Sequence, residues 1–415
     1  MIRLKIMENS SGYWNHSVSW LLNFSVLSIS IGLLSANNLQ AREIYALPFV
    51  SIQTIYDDNR QLRTERRSVG LNTEAYGVLS SAGANIGVRS DRYKIDLRNR
   101  VSINRYQSDL DLDSDNAFID LTSSYNLTER ATIGVTGNYT RDTTLTSELE
   151  VTGLVQQNRI REQWTISPNW SYMLTQRQFI QANYTHLDTS YEKSDIGNLF
   201  DYTTDVVSIS HNYQWTQLLT SFVSASWMEF DIPTLNRNTT QYSVSIGADY
   251  QFLPTWSASF MIGERYTQTE ITFFGRDFTS SQDGLIFNFS INKEFEEGSA
   301  EASYSRSTSA TGNGQLQVLE KLQANFTHKI TQKLRFSMVG GINVTSDSNT
   351  RNTSSNRTYY HVSPSLSWQF NRQTSLSGSY RYRNQKFDRE DEAAVSNAVF
   401  LTFNYRWDKL STQRY

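Results

Sequence analysis

The chain has 415 residues and a mass of 47.7 kDa, with 38 Lys and Arg against 41 Asp and Glu and a formal net charge of -3. That balance excludes a dedicated nucleic-acid binder, which needs a basic face, and the lack of cysteine excludes a disulfide framework or a thiolate metal site. Hydrophobic residues reach only 38% while aromatics reach 13%, so the chain folds, but on strands with one apolar and one wet face rather than around a thick hydrocarbon core.

The first 41 residues read as an export signal. Arg3 and Lys5 precede an apolar stretch from Val18 to Leu34, and small residues follow at Ser35, Ala36 and Ala41. Charge, apolar core and small residues in that order define a secretory signal, with cleavage after Ala36 or after Ala41. Glu8 and the long lead-in depart from the pattern, and Met7 is a second candidate start. The other reading is a single membrane-anchoring helix, although Asn23 and several serines dilute a stretch that needs about 20 apolar residues to span.

From Ile44 to Trp407 the chain repeats one pattern: an alternating apolar and polar stretch, then a break. Tyr93, Ile95, Leu97, Val101 and Ile103 fall on one face, and Lys94, Asp96, Arg98, Arg100, Ser102 and Asn104 on the other. The stretches from Thr240 to Phe252 and from Val399 to Trp407 do the same. This is the period of a strand, not of a helix. Short breaks such as Ser90–Arg92, Thr128–Arg130, Pro254–Thr255 and Asn371–Gln373 alternate with longer polar ones at Thr143–Ile160, Ser194–Tyr202, Ile232–Thr239, Thr272–Asp283, Ser348–Arg357 and Asp388–Val395. Short turn, long loop, short turn is the layout of a transmembrane barrel. The expected fold is all-β: a closed antiparallel transmembrane β-barrel of about 18 strands (range about 16–18), spanning residues 42–407, with a short tail at 408–415. Lipid requires every backbone N–H and C=O to be paired within the protein, so the sheet must close on itself.

Aromatics mark one end of the strands. Tyr172, Tyr213, Trp215, Tyr250, Trp368, Tyr405 and Trp407 all sit on the apolar face just before a short turn or near the chain end. Side by side on a cylinder they form a girdle at one membrane–water interface. Pro168 and Pro364 interrupt predicted strands in similar Ser-Pro contexts, where a bulge or a local pairing gap is expected. His186, His211 and His328 fall on the apolar face and are expected near its rim.

Three regions resemble the family of outer-membrane β-barrel porins of Gram-negative bacteria whose members often accompany exopolysaccharide and exosortase systems. They are the opening strand Leu47-Pro48-Phe49-Val50 through Tyr56-Asp57-Asp58-Asn59, the repeated hairpins of the body, and the closing pair Leu376–Arg383 and Val399–Trp407. The resemblance implies an outer-membrane location. Partners on that reading are lipid and lipopolysaccharide, the barrel-assembly machinery and polysaccharide-export components, with no cofactor and no established catalytic residue. The expected function is a passive porin-like channel or an outer-membrane exit for an exopolysaccharide; the alternative is a structural or adhesive surface barrel with a closed lumen.

The inward face carries both charges. Arg98, Arg100, Arg381 and Arg383 form a candidate basic strip that would favour anions, against Asp96, Asp120 and Asp249; the plainer reading is that these arginines pair with inward carboxylates and hold the wall together. Asp109, Asp111, Asp113 and Asp115 alternate at one loop and make a weak candidate calcium site, without the glycine turn and ligand order of an EF-hand. No GxSxG elbow and no paired-histidine motif is present, and Ser210 and His211 lie on opposite faces of a strand, so the chain is read as a non-enzyme. The break Thr143–Ile160 is a candidate to fold inward as a constriction.

Overall fold

The computed structural model describes residues 42–108, 110–149, 158–192, 199–347 and 356–414; the expected export signal and its cleavage sites lie outside them. The alternating stretches form β1 (Arg42–Asp57), β2 (Ala75–Arg89), β3 (Tyr93–Gln107), β4 (Ser114–Asn126), β5 (Ala131–Thr143) and β6 (Ile160–Thr175). Then come β7 (Gln178–Tyr191), β8 (Tyr202–Gln214), β9 (Leu219–Ile232), β10 (Arg237–Leu253), β11 (Trp256–Phe273) and β12 (Arg276–Phe295). The last are β13 (Gly298–Ala310), β14 (Leu316–Lys329), β15 (Leu334–Asp347), β16 (Arg357–Gln369), β17 (Thr374–Phe387), β18 (Ala394–Arg406) and a short β19 (Leu410–Arg414). One short helix, α1 (Thr144–Ser147), follows β5.

Each of β1 to β17 pairs antiparallel with the next, and β18 returns to β1 from Phe49 opposite Arg406 to Asp57 opposite Ala398. The sheet is therefore a closed 18-stranded antiparallel β-barrel. The residues expected to form a tail add β19, which continues the β18 side of the seam by pairing with β1 from Ala46 opposite Leu410 to Arg42 opposite Arg414.

The two faces separate as the alternation requires. In β10, Val244 and Ile246 are 59% and 57% exposed on the outside, where burial of such a side chain in lipid is worth about 1.5–3 kcal/mol. Between them Ser243 and Ser245 face inward and bond across the ladder to Ser226 and Ser224, each at 2.6 Å. Serines also line the inner face of β13, β16 and β17: Ser303 and Ser305, Ser363 and Ser365, Ser377 and Ser379. Among the described residues no apolar cluster runs the length of the barrel axis. The buried apolar clusters among the described residues lie where strand ends and long loops meet.

Two expected loops are not loops. Thr272–Asp283 is almost wholly strand: β11 and β12 run through it and reverse at Phe274-Gly275, with φ of 51° and 72°. Positive φ at both central residues matches the right-handed twist of the flanking strands, and glycine adopts it without strain. Ile232–Thr239 is likewise a tight reversal, with a single 3-10 turn at Pro233–Leu235 and Asn236 at φ 45°. Pro168 and Pro364 each produce a pairing gap and no bulge. β6 meets β7 at Ile166 opposite His186 and next at Asn169 opposite Asn183, and β16 meets β17 at Val362 opposite Tyr382 and next at Ser365 opposite Ser379, with the register unchanged in both. A missing N–H removes one rung without adding a residue.

Candidate functional site

The lumen is built from the inward parity of the strands. Arg98 and Arg100 project from β3, opposite Asp120 and Phe118 of β4. Both are exposed to the lumen. Neither makes an ion pair with a described residue. The Arg100 guanidinium lies over the Phe118 ring at 4.2 Å, and Asp120 accepts from Asn138 at 2.6 Å. Asp96 is held by Lys94 at 3.2 Å and by the Tyr45 hydroxyl. Asp249 faces inward between Thr220 and Ser259.

Arg381 and Arg383 behave differently. Arg383 donates to the fully buried Asp57 carboxylate at 2.9 Å and Arg381 stands 3.6 Å from the same oxygen. Ser396 donates to the other oxygen of Asp57 at 2.8 Å. The four arginines therefore divide: the β17 pair braces the wall, and the β3 pair remains open to water.

The girdle residues lie at the short-turn end on the outer face. Tyr213 packs on Trp215 at 4.5 Å, Tyr250 on Phe252 at 6.0 Å, Trp368 on Phe370 at 5.7 Å and Tyr405 on Trp407 at 4.8 Å. Tyr172 stacks on Trp170 at 5.8 Å. Pairs two residues apart share a face of a strand, so each strand end offers two rings to the interface.

Asp113 and Asp115 both turn to Arg105 rather than to a shared centre. Asp109 lies outside the described residues. Asp113 accepts from the Tyr106 amide at 2.8 Å and Asp115 pairs with Arg105 at 2.8 Å, while the Asp111 carbonyl accepts from Asn158 at 3.0 Å. Among the described residues no group of three or more His, Asp or Glu could hold a metal ion.

The opposite end of the barrel is filled by inward-folded chain. After β5, α1 and the residues behind it turn into the lumen, where Leu145 and Leu149 pack with Leu62, Leu112, Tyr359 and Ala394. Arg357 of β16 donates to the Leu149 carbonyl at 2.6 Å and to Gln385 at 2.9 Å. The Tyr191 hydroxyl donates to Glu148. A second cluster joins Tyr191, Tyr202, Phe230 and Ile232, with Leu235 and Ala310 against it. Residues 311–315 reach this cluster: Arg237 donates to the Gly314 carbonyl at 2.6 Å and the Phe200 amide to that of Gly312 at 2.8 Å. The constriction expected at Thr143–Ile160 is thus present in its described part, 144–149, with a partner at 311–315 that polar composition gave no reason to single out. Burial pushes the Glu148 carboxyl above the usual carboxylate range, against the Tyr191 hydroxyl and Arg161, with the Asp142 charge adding to the rise.

Residues 63–194 match the family described as "Putative MetA-pathway of phenol degradation". No curated protein matches the chain. Among solved structures, OccAB4 of Acinetobacter baumannii is 11% identical, covering 90% of this chain and 100% of its own, with a TM-score of 0.47. OpdQ of Pseudomonas aeruginosa is 12% identical over 88% and 98%, TM-score 0.45. The alcaligin outer-membrane receptor FauA of Bordetella pertussis is 12% identical over 88% and 76%, TM-score 0.43. The assignment rests on the chain's own ladder: a closed antiparallel barrel, apolar outside, polar inside and ringed by aromatics at the short-turn end, is an outer-membrane β-barrel of the Gram-negative type.

Proposed function

We propose that the barrel is a passive, non-enzymatic channel for small hydrophilic solutes. The observation that carries this reading is the serine-lined inner wall with Arg98 and Arg100 exposed to it, below a mouth narrowed by residues 144–149 and 311–315. A wet lumen lets polar solutes bypass lipid, and its charged side chains set their selectivity. The inward-folded segments favour small solutes over an exopolysaccharide, which would need both segments displaced. Lipid, lipopolysaccharide and the assembly machinery are the partners of this reading. Refolded protein in planar bilayers tests it: stable conductance is expected, and folded but silent barrels would favour the structural or adhesive alternative.

A further inference from the structure

The ladder that closes the cylinder is incomplete in one place. β12 and β13 pair only from Phe295 opposite Gly298 to Phe287 opposite Arg306. Beyond that point both strands continue with one partner each, β12 with β11 as far as Arg276 opposite Phe273, and β13 with β14 as far as Ala310 opposite Leu316. The two hairpins then part. The β11–β12 end stands clear, exposed from Arg276 to Asp283. The β13–β14 end turns into the barrel: Thr308 donates to Gln241 on the inner wall of β10 at 3.0 Å, and Ala310 packs on the cluster of Phe230 and Ile232. Leu316 and Val318 share the parity of the outward Leu322, yet both are buried, as that inward turn requires.

The wall therefore has a seam, a stretch without cross-strand pairing, beyond the level where the ladder stops. Its outer lip carries Leu285, Phe287, Tyr304 and Leu322 beside the Arg306–Glu320 ion pair, which shares their outward parity. Its inner lip holds Arg265 of β11, only 2% exposed. That guanidinium donates to Thr267 at 2.7 Å and lies against Gly284, where a side-chain carbon would stand 2.9 Å from it. No described carboxylate pairs with Arg265; the charge that reaches it is the like charge of Arg306, itself paired with Glu320 at 3.0 Å. A buried guanidinium without a counter-charge is costly, and an entering anion would supply that charge. Meanwhile the axial mouth is crossed by the two apolar clusters.

We propose that the seam is a lateral portal through which a small amphipathic anion, an apolar body carrying one acidic head, passes between the outer leaflet and the lumen, with its head drawn to Arg265. The portal rests on the channel reading only for the passage below it. Ile286 and Ser307 are the next pair the ladder would form, since Phe287 faces Arg306. Cysteines at both positions (Ile286→Cys, Ser307→Cys), joined by a short bis-thiosulfonate, tie the seam shut. Entry of 2-naphthalenesulfonate into proteoliposomes and chloride conductance are then measured on linked and unlinked barrels, with folding checked by heat-modifiable gel mobility. Linking is expected to cut probe entry about tenfold or more while chloride conductance stays within about twofold. Arg265→Ala is expected to raise the half-saturating probe concentration about tenfold, and Arg265→Lys less. Probe entry that ignores the linker, or a parallel loss of probe and chloride, overturns the portal. So does quantitative direct disulfide formation between the two cysteines, which would mean strands already adjacent. Probe entry lost on linking in a barrel that never conducts chloride would overturn the axial channel and leave the portal standing.

Discussion

Arg357 Nη2 donates to the Leu149 carbonyl at 2.6 Å, although 208 residues separate the two in the chain. The bond joins the wall at β16 to the segment that crosses from β5. Both groups are buried, so breaking it leaves the Leu149 carbonyl without this charged donor. Arg357→Ala is expected to weaken docking of the segment by about 2 kcal/mol, the usual range for a hydrogen bond to a charged group, or roughly thirtyfold in the docked population. Single-channel recordings should show a larger or noisier open level, and Leu149 should become accessible to protease. Unchanged recordings would mean that the apolar cluster alone holds the segment.

Asp57 gathers Arg383, Arg381, Ser396 and the Asn59 amide in a dry pocket. Asp57→Asn removes the charge and leaves Arg383 buried without compensation. The expected loss is about 3–5 kcal/mol, read as a lower temperature for conversion of the folded gel band to the unfolded one. Adding Arg383→Met should recover more than half of the loss, because the uncompensated charge is then gone as well.

Arg98 and Arg100 supply the lumen with positive charge that no described carboxylate meets at ion-pair distance, although Asp120 lies near enough to act on Arg100. Replacing both by alanine should shift the reversal potential in a salt gradient toward cations, with the anion-to-cation permeability ratio falling roughly twofold at low salt and less at high salt. Arg381→Ala is the comparison: its guanidinium already serves Asp57, so selectivity should barely move. Equal shifts from both variants would contradict the division between the two pairs.

Glu148 makes the narrowed mouth sensitive to pH. Undocked, its carboxyl titrates near about 4.3; docked, burial raises that value. The docked form therefore holds its proton over a window in which the undocked form has lost it. Docking is fully favoured below about pH 4.3, weakens as pH rises through the docked value, and stays weaker above it. Open probability should rise from acid toward neutral pH. Glu148→Gln keeps the Tyr191 contact without an ionisable group and should flatten that profile. A profile unchanged in the variant would assign the titration elsewhere.

The sequence made the cylinder readable because lipid enforces a strict alternation wherever a strand crosses it. Tyr242, Val244 and Ile246 announce β10 for that reason. The same rule explains the misreading of Thr272–Asp283. Above the bilayer both faces of β11 and β12 meet water, so the outward parity of β12 carries Asp277, Thr279, Ser281 and Asp283, and no apolar residue of that parity reveals the strand there. The β19 strand follows Asp408 and Lys409, which have the composition of a loose end but are engaged by Gln373 and Glu43. The contacts of the mouth were not legible at all. Asp57 and Arg383 lie on strands whose order of closure is needed before they can be brought together, and nothing in their local composition distinguishes Arg383 from Arg98.

The first strand finds its closing neighbours only at the end of the chain: Tyr56 faces Val399 of β18, and Ala46 faces Leu410 of β19. Contacts so remote along the chain are the slowest to form, because the whole intervening loop must be gathered first. Until then one row of β1 backbone groups lacks a mate, a condition that hydrocarbon penalises heavily and that invites pairing with stray chains. Closure of this barrel is thus expected to come late, with the edge of β1 the last to find its mate.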